Sequence, residues 1–528
     1  MRTAADPGPD PARAASTARG RLRSPAPWPW RPFPAHALLL PAWAVLFLVA
    51  ENSAQLPVAE ALGPVVEGVL AASALLFLGG IVLRDLRRGG LVAVALLAAW
   101  YLHGHVAALV APAGLTGPAA LVAWLPVVAL AAVGALRLGE QRVAGVTRAL
   151  SAALVVLVVL AGVRIVPVEV ARGAAAGEAA ADAVGGSGPA ARTGPARDIW
   201  IIVLDRYGSA AALTALGGFT SDLPDWLATR GFAVAPEARA SYGRTTLSLA
   251  ARMDPASRDP APVQALLSDH AVGRFLRAQG YRYVHLGSWF EPTKRSAIAD
   301  ENPVLRSGSD LRALVESTTA APALATLLGL RRPPAHHLLP RAAALFSLRE
   351  LARIRATPGP KLVVAHVLLP HEPYVFDETG RYPTPEERAA RTLDDGYRRQ
   401  MLWTNAQVRA LVDDLLDVPA DAQPAILLLA DEGPYPDRYA ASQATFDWTS
   451  ATPDELATKF GVLTALYAPG PTRPAALPLE PAVTTVNLAS VLLSRYWDGP
   501  WRLLPDRSWA SAGWYRPYDL IDVTDRIP

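Results

Sequence analysis

The chain has 528 residues, room for two or three domains, and 51% of them are hydrophobic, giving a mean hydropathy of +0.21 that is high for a protein wholly in water. The absence of cysteine excludes disulfides, thiolate zinc sites, a cysteine nucleophile and a cysteine-derived formylglycine, so any metal must be held by Asp, Glu, His or Thr. A formal charge of +3, with arginines spread along the chain or gathered near apolar segments, gives no support to nucleic-acid binding.

Five apolar stretches come first, at about 35–50, 62–83, 91–111, 119–136 and 149–166, each near the ~20 residues that a spanning helix needs. The first contains Pro41 and stops at Glu51, so it reads either as a span or as a short interfacial or signal-like helix. Arg2, Arg13, Arg19, Arg21, Arg23 and Arg31 place the tail 1–34 in the cytoplasm, where Arg and Lys are retained. The connections then alternate. Those at 51–61 and 112–118 lack basic residues, whereas 84–90 carries Arg84, Arg87 and Arg88, and 137–148 carries Arg137, Arg142 and Arg148. Five spans from an inside start put everything after residue 170 outside the cytoplasm, and Arg164 can snorkel to the outer interface. His103 and His105 lack an evident intramembrane carboxylate and read as occupants of a bundle crevice or of the interface. The expected organisation is a five-helix transmembrane domain over 35–170, a flexible Ala/Gly-rich linker over 171–197 and an extracytoplasmic domain over 198–528.

From 198 onward, apolar strand candidates at 198–204, 281–287, 361–369, 425–430 and 462–468 alternate with helical patterns at 222–230, 262–279, 386–416 and 484–496. Such alternation predicts an α/β sandwich around a mostly parallel sheet, whose ligands gather at the C-terminal ends of the strands. Asp205 ends the first strand and is either a metal ligand or the cap of the turn that follows. Thr245 and Thr246 open a helical stretch, where unpaired N–H groups favour an anion, though a plain N-cap threonine fits the same position. Arg244 beside them either holds a phosphoryl oxygen or is solvated. Asp431 and Glu432 follow the most apolar strand and precede Gly-Pro; adjacent carboxylates at a buried strand end repel unless a cation neutralises them, which favours a metal over a solvated pair. His371, in a Pro-flanked turn, could serve as general acid or phosphoryl contact, whereas His366, inside its strand, reads as a core histidine. Trp289, Phe290 and the tail residues Trp497, Trp501, Trp509 and Trp514 read as ordinary packing more than as a lipid-proximal cleft.

At these residues the chain resembles the alkaline phosphatase and sulfatase superfamily, and within it the membrane-anchored, single-metal branch of lipoteichoic acid synthases and phosphoethanolamine transferases. The resemblance covers about 198–470 and rests on the runs ending in Asp205, Tyr242 to Ala250, Ala365 to Tyr374, and Leu428 to Pro434. It implies one divalent metal held by Asp205, Thr245, Asp431 and position 432, a threonine nucleophile with Thr246 as rival to Thr245, and His371 against the transferred group. Glu432 stands where that family has histidine. The resulting oxygen-only set predicts Mn²⁺ or Mg²⁺ rather than Zn²⁺, and also leaves a degenerate site open. The absence of a Cys- or Ser-x-Pro-x-Arg motif disfavours sulfate-ester hydrolysis. The implied activity is a metal-dependent phosphotransferase acting on membrane phospholipids or cell-envelope polymers, with a phosphodiesterase or phosphatase, and a non-catalytic membrane scaffold, as the alternatives.

Overall fold

The computed structural model describes residues 32–53, 56, 58–182, 190–253, 267–305, 310–330, 339–470, 476–499, 501, 503–513 and 516–528. The apolar half folds as α1 (His36–Glu51), α2 (Leu62–Leu83), α3 (Leu86–Tyr101), α4 (His103–Val110), α5 (Gly117–Arg137) and α6 (Glu140–Asp182). Among the described residues three helices are long and apolar enough to cross a membrane, those within Val58–Leu83, Gly117–Arg137 and Glu140–Val170. Phe77, Leu130 and Val163 stand exposed on them, as side chains facing lipid would.

The expectation of five spans changes in two places. The 91–111 stretch is not one straight helix: α3 and α4 break at Leu102 and bend by 57°, the geometry of a broken span or of a re-entrant loop. His103 is buried at the break, and His105 lies edge-on to Phe47 with ring centroids 6.4 Å apart. α1 has 16 residues, ~24 Å of rise, short of a ~30 Å hydrocarbon layer. It runs alongside α6, from Ser151, whose hydroxyl accepts from the His36 N–H at 3.2 Å, to Arg164, which pairs with Glu51.

The linker is shorter than expected. α6 continues to Asp182, through Pro167, because the Ala-rich stretch that reads as a tether is also the best helix-forming composition. At the other end Thr193 donates to the Tyr496 carbonyl at 2.7 Å, and the buried Arg197 donates to the Gln423 carbonyl at 2.8 Å, so 190–197 packs onto the α/β half. Residues 183–189 of the expected linker lie outside the described residues, as do 1–31 of the expected tail.

The α/β half is built on a six-stranded sheet in the order β2-β6-β5-β1-β4-β3. Its strands are β1 (Ile199–Leu204), β2 (Ala233–Val234), β3 (Arg282–Leu286), β4 (Lys361–Val367), β5 (Ala425–Leu429) and β6 (Thr464–Tyr467). β1 lies at the centre, parallel to β4 and β5, and β3 is parallel to β4, while β6 and β2 close one edge antiparallel. Every residue of β1 and β5 is buried, as a strand covered by helices on both faces must be. A separate hairpin, β7 (Trp509–Gly513) and β8 (Arg516–Asp522), was not anticipated.

The β3–β4 crossover leaves the sheet and returns to the membrane half. Its Asp310–Thr318 helix buries Leu311 among Val45, Leu48, Leu56, Ala161 and Ile165, and Arg312 pairs with Glu67. Ala320 donates its N–H to the Trp100 carbonyl at 2.9 Å, and Ala320 and Ala323 pack on Leu121. A Cβ on Gly104 would lie 2.8 Å from the Thr318 backbone, so the two halves touch at van der Waals distance there. These contacts fall near the end of α1, the start of α5 and the Arg164 region of α6. The arginine-bearing connection Arg137–Arg148 joins α5 to α6 at the opposite ends of those helices, and Arg84–Arg88 joins α2 to α3 at the ends away from Glu67 and Trp100.

Candidate metal centre and active site

Strand register brings three ligand-type side chains to one point. Val203 of β1 pairs with His366 of β4 on one side and with Leu429 of β5 on the other. Alternate residues share a face, so Asp205, two beyond Val203, and Asp431, two beyond Leu429, emerge on the face that carries His366. All three are buried, and one ligand atom of each lies within 4.8 Å of the others. His366 Nε2 is 3.0 Å from Asp205 Oδ2.

The group fits a divalent cation. Among the described residues, Asp205 Oδ1 and Asp431 Oδ2 are buried without a hydrogen-bond partner, a costly arrangement unless a cation accepts their charge. Burial, the Asp205 carboxylate and Glu432 push Asp431 up to about 7. Burial acts the same way on Asp205, but His371, His366 and Arg206 override it and hold this carboxyl at about 2. An Asp-His-Asp cluster with a nearby threonine oxygen offers mixed nitrogen and oxygen donors.

The threonines lie where the sequence placed them. Thr245 and Thr246 open the Thr245–Met253 helix, which packs on the Val203 face of the sheet through Leu247, Leu249 and Ala250. Ser248 Oγ donates to the Asp431 carbonyl at 2.6 Å and ties this helix to the β5 tip. The Thr245 hydroxyl stands beside Asp431 and offsets part of its pKa rise. His371 follows β4 in a turn held by Gln400, whose Nε2 donates to the Pro370 and His371 carbonyls at 3.1 and 2.7 Å. It is partly exposed and close enough to Asp205 to favour its ionised form.

Two expected site residues face elsewhere. Glu432 is not part of the cluster: its neighbour Asp431 points to the cluster face, and Glu432, one residue on, points away. There it meets Lys459 Nζ at 2.8 Å and Arg206 Nε at 3.2 Å. Protein cations supply the neutralisation that two adjacent carboxylates require, so the oxygen-only ligand set and its preference for Mn²⁺ or Mg²⁺ lose their premise. Arg244 donates from Nε to Ser511 Oγ and from Nη2 to the Gly513 carbonyl, both at 3.0 Å, and so clasps the β7–β8 hairpin. The Trp497 ring is core, edge-on to Phe275 and Tyr281, and Trp501 packs on Phe275; Trp514 lies outside the described residues.

Sequence reasoning missed His366, Arg206 and Lys459. Arg206 is buried at positive φ, its N–H donating to Asp431 Oδ1 at 3.1 Å, its guanidinium paired with Glu372 and lying 3.4 Å from the Tyr435 ring centroid. Lys459 is fully buried at the end of the Pro453–Phe460 helix; burial lowers its ammonium to about 8, while Glu432 resists the change. Gly433 makes this packing possible, since a Cβ there would fall 2.1 Å from the Thr458 carbonyl oxygen. Behind His366 runs a buried chain of hydrogen bonds. Thr293 Oγ1 is 2.8 Å from His366 Nδ1, the Thr293 carbonyl 2.8 Å from His285 Nε2, His285 Nδ1 3.0 Å from the Tyr283 hydroxyl, and that hydroxyl 2.7 Å from His270 Nε2.

No protein-family model matches the sequence, and no curated protein matches it. Solved structures do resemble the chain. The C-terminal periplasmic domain of EcEptC from Escherichia coli shares 15% identity over 65% of this chain and 95% of its own, with a TM-score of 0.41. The integral membrane lipooligosaccharide phosphoethanolamine transferase A from Neisseria meningitidis shares 13% over 87% of this chain and 94% of its own, with a TM-score of 0.39. A putative sulfatase from Bacteroides thetaiotaomicron shares 16% over 56% of this chain and 69% of its own, with a TM-score of 0.34.

Proposed function

We propose that this protein is a membrane-anchored, metal-dependent phosphotransferase whose Thr245 hydroxyl attacks a phosphoester, with the α/β half outside the cytoplasm. The observation that supports this most is the buried Asp205–His366–Asp431 cluster, with its two unpartnered carboxylate oxygens, facing a threonine at a helix N-terminus. Asp205, His366, Asp431 and Thr245 would hold one divalent ion. Zn²⁺ or Mn²⁺ suits this mixed donor set, and when bound it would lower the threonine's pKa and screen the charge of the transferred group.

The chain's own groups carry the rest. Thr245 hands the phosphoryl group on through a covalent phospho-threonine, its position fixed by Ser248's bond to the β5 tip. The N–H groups of the helix's first turn and its dipole favour negative charge on the phosphoryl oxygens. His371 stands beside Asp205 at the partly exposed side of the site, where it can protonate a leaving oxygen. Thr245 is preferred to Thr246 because its hydroxyl acts on Asp431. The α/β half packs against the end of the bundle away from the arginine-bearing connections, which supports an extracytoplasmic site near lipid or envelope-polymer phosphoesters. A sugar or lipid hydroxyl is the acceptor in this reading, and water the acceptor in its hydrolytic variant.

The test uses the full-length chain in detergent: metal content by elemental analysis, and turnover of bis-para-nitrophenyl phosphate, for the wild type, Thr245→Ala, Thr246→Ala and His366→Ala. The proposal expects about one equivalent of bound metal in the wild type. Turnover should vanish in Thr245→Ala but persist in Thr246→Ala, and both metal and turnover should be lost in His366→Ala. Full turnover in Thr245→Ala would sink the nucleophile, and a wild type that takes up no Zn²⁺ or Mn²⁺ would sink the site.

A further inference from the structure

We infer that the Ala321–Leu327 helix and the residues to Leu330 dip into the lipid headgroup and acyl boundary beside α5, making a second, non-spanning membrane anchor within the β3–β4 crossover. The helix reads Ala-Pro-Ala-Leu-Ala-Thr-Leu, and Leu-Gly-Leu follows it without a charged side chain. Ala320, Ala323 and Leu324 pack on Leu121 of α5. Leu327 and Leu328 continue the same stripe, three and four residues after Leu324. Among the described residues these side chains stay open: Leu327, Leu328 and Leu330 are 52%, 59% and 60% exposed.

The depth of the contact identifies what covers them. Leu121 lies four residues into α5, ~6 Å of rise below its start at Gly117, which is the depth at which interfacial helices lie. The lipid-facing side of α5 begins at the same level, with Val122 and Leu125 at 54% and 48% exposed, and α4 and the turn after it add Leu109 and Leu115. The leucine stripe therefore continues a surface that already meets acyl chains. A protein partner would need a patch standing clear of the bilayer, whereas this one is pressed against the side of a candidate span. The occupant is the same bilayer that holds α5.

The absence of native cysteine makes the test direct. Leu328→Cys and, separately, Leu330→Cys are introduced into the full-length chain, labelled with an environment-sensitive nitrobenzoxadiazole, and reconstituted into phosphatidylcholine/phosphatidylglycerol vesicles. Leu125→Cys on α5 is the lipid-facing reference. Both side chains are largely exposed, so the substitutions leave packing intact, and two positions guard against one label perturbing its own site. Insertion predicts blue-shifted emission, quenching by lipids bearing a doxyl group high on the acyl chain to the extent seen at Leu125→Cys, and protection from aqueous iodide. Quenching by iodide without quenching by doxyl lipid would place the stripe in water and overturn the proposal. Quenching by neither would mean that protein covers it, and would overturn it equally.

Discussion

The β5 tip carries two adjacent carboxylates in opposite electrostatic circumstances. Asp431 faces Asp205 and His366, and among the described residues one oxygen of each carboxylate, Asp205 Oδ1 and Asp431 Oδ2, has no hydrogen-bond partner. Glu432 faces Lys459 and Arg206, which neutralise it within the protein. One side gathers two carboxylates around a histidine, and the other pairs its carboxylate with two cationic side chains. A buried charge site built for a ligand differs from one built for structure in whether its countercharge is part of the chain.

The largest expected effect tests the Glu432 side. Lys459→Met leaves Glu432 buried with half its countercharge and should cost roughly 3–5 kcal/mol in unfolding free energy, the same with or without added metal. If added Zn²⁺ or Mn²⁺ restored that loss, Glu432 would belong with the ligands after all. On the Asp431 side the sign reverses. Asp431→Asn removes repulsion and should leave the metal-free protein as stable as the wild type or more so, while abolishing the ~2.7 kcal/mol of stabilisation that a metal at a hundredfold excess over its Kd gives the wild type. Thermal unfolding with and without metal reads both.

The histidine chain behind His366 should make stability fall in acid. Burial, with His285 and Arg274 adding to it, holds His270 at about 3, so the folded protein keeps it neutral where the unfolded chain, titrating near ~6.5, takes up a proton. The unfolded state then binds more protons, and stability is complete above pH ~6.5 and lost as pH falls toward 3, by about 2 kcal/mol at pH 5. His285, held at about 4 by the same burial, adds a contribution of the same sign, so His270→Asn should reduce that slope between pH 6.5 and pH 5 without abolishing it, whatever its stability at neutral pH. The smallest effect concerns ligand orientation: Thr293→Val removes the partner of His366 Nδ1 and should weaken metal affinity about tenfold, ~1.4 kcal/mol, by titration calorimetry. Unchanged affinity would mean that His366 needs no such support.

The sheet was legible because buried parallel strands are apolar runs, and β1, β3, β4, β5 and β6 each fall within an expected stretch. β2, two residues long, and β8, which begins Arg-Pro-Tyr-Asp, carry no such run. His366 was passed over because alternation within one strand tells which face a residue takes, and only the register with Val203 tells what lies beside it. Glu432 shows the converse: alternation alone separates it from Asp431, yet the two read as a pair because they are adjacent. The countercharges were hidden for a third reason. Lys459 is 28 residues downstream of Asp431 in an ordinary amphipathic helix, and nothing local marks it as buried. At 171–182, alanine-rich composition suits a tether and a helix equally, and continuity with α6 decided for the helix.

The α/β half is mounted on the membrane half at two places, through the chain that enters β1 and through the Asp310–Leu327 part of the β3–β4 crossover. A body hung from one point swivels freely; a body held at two can rock only about the line that joins them. Thr293, which reaches His366, lies earlier in the same β3–β4 crossover. Severing the α/β half from its bundle would strip Leu311, Ala320 and Ala323 of their cover and release the strut that leads back to the cluster. A truncated chain would thus be sticky where it was cut free.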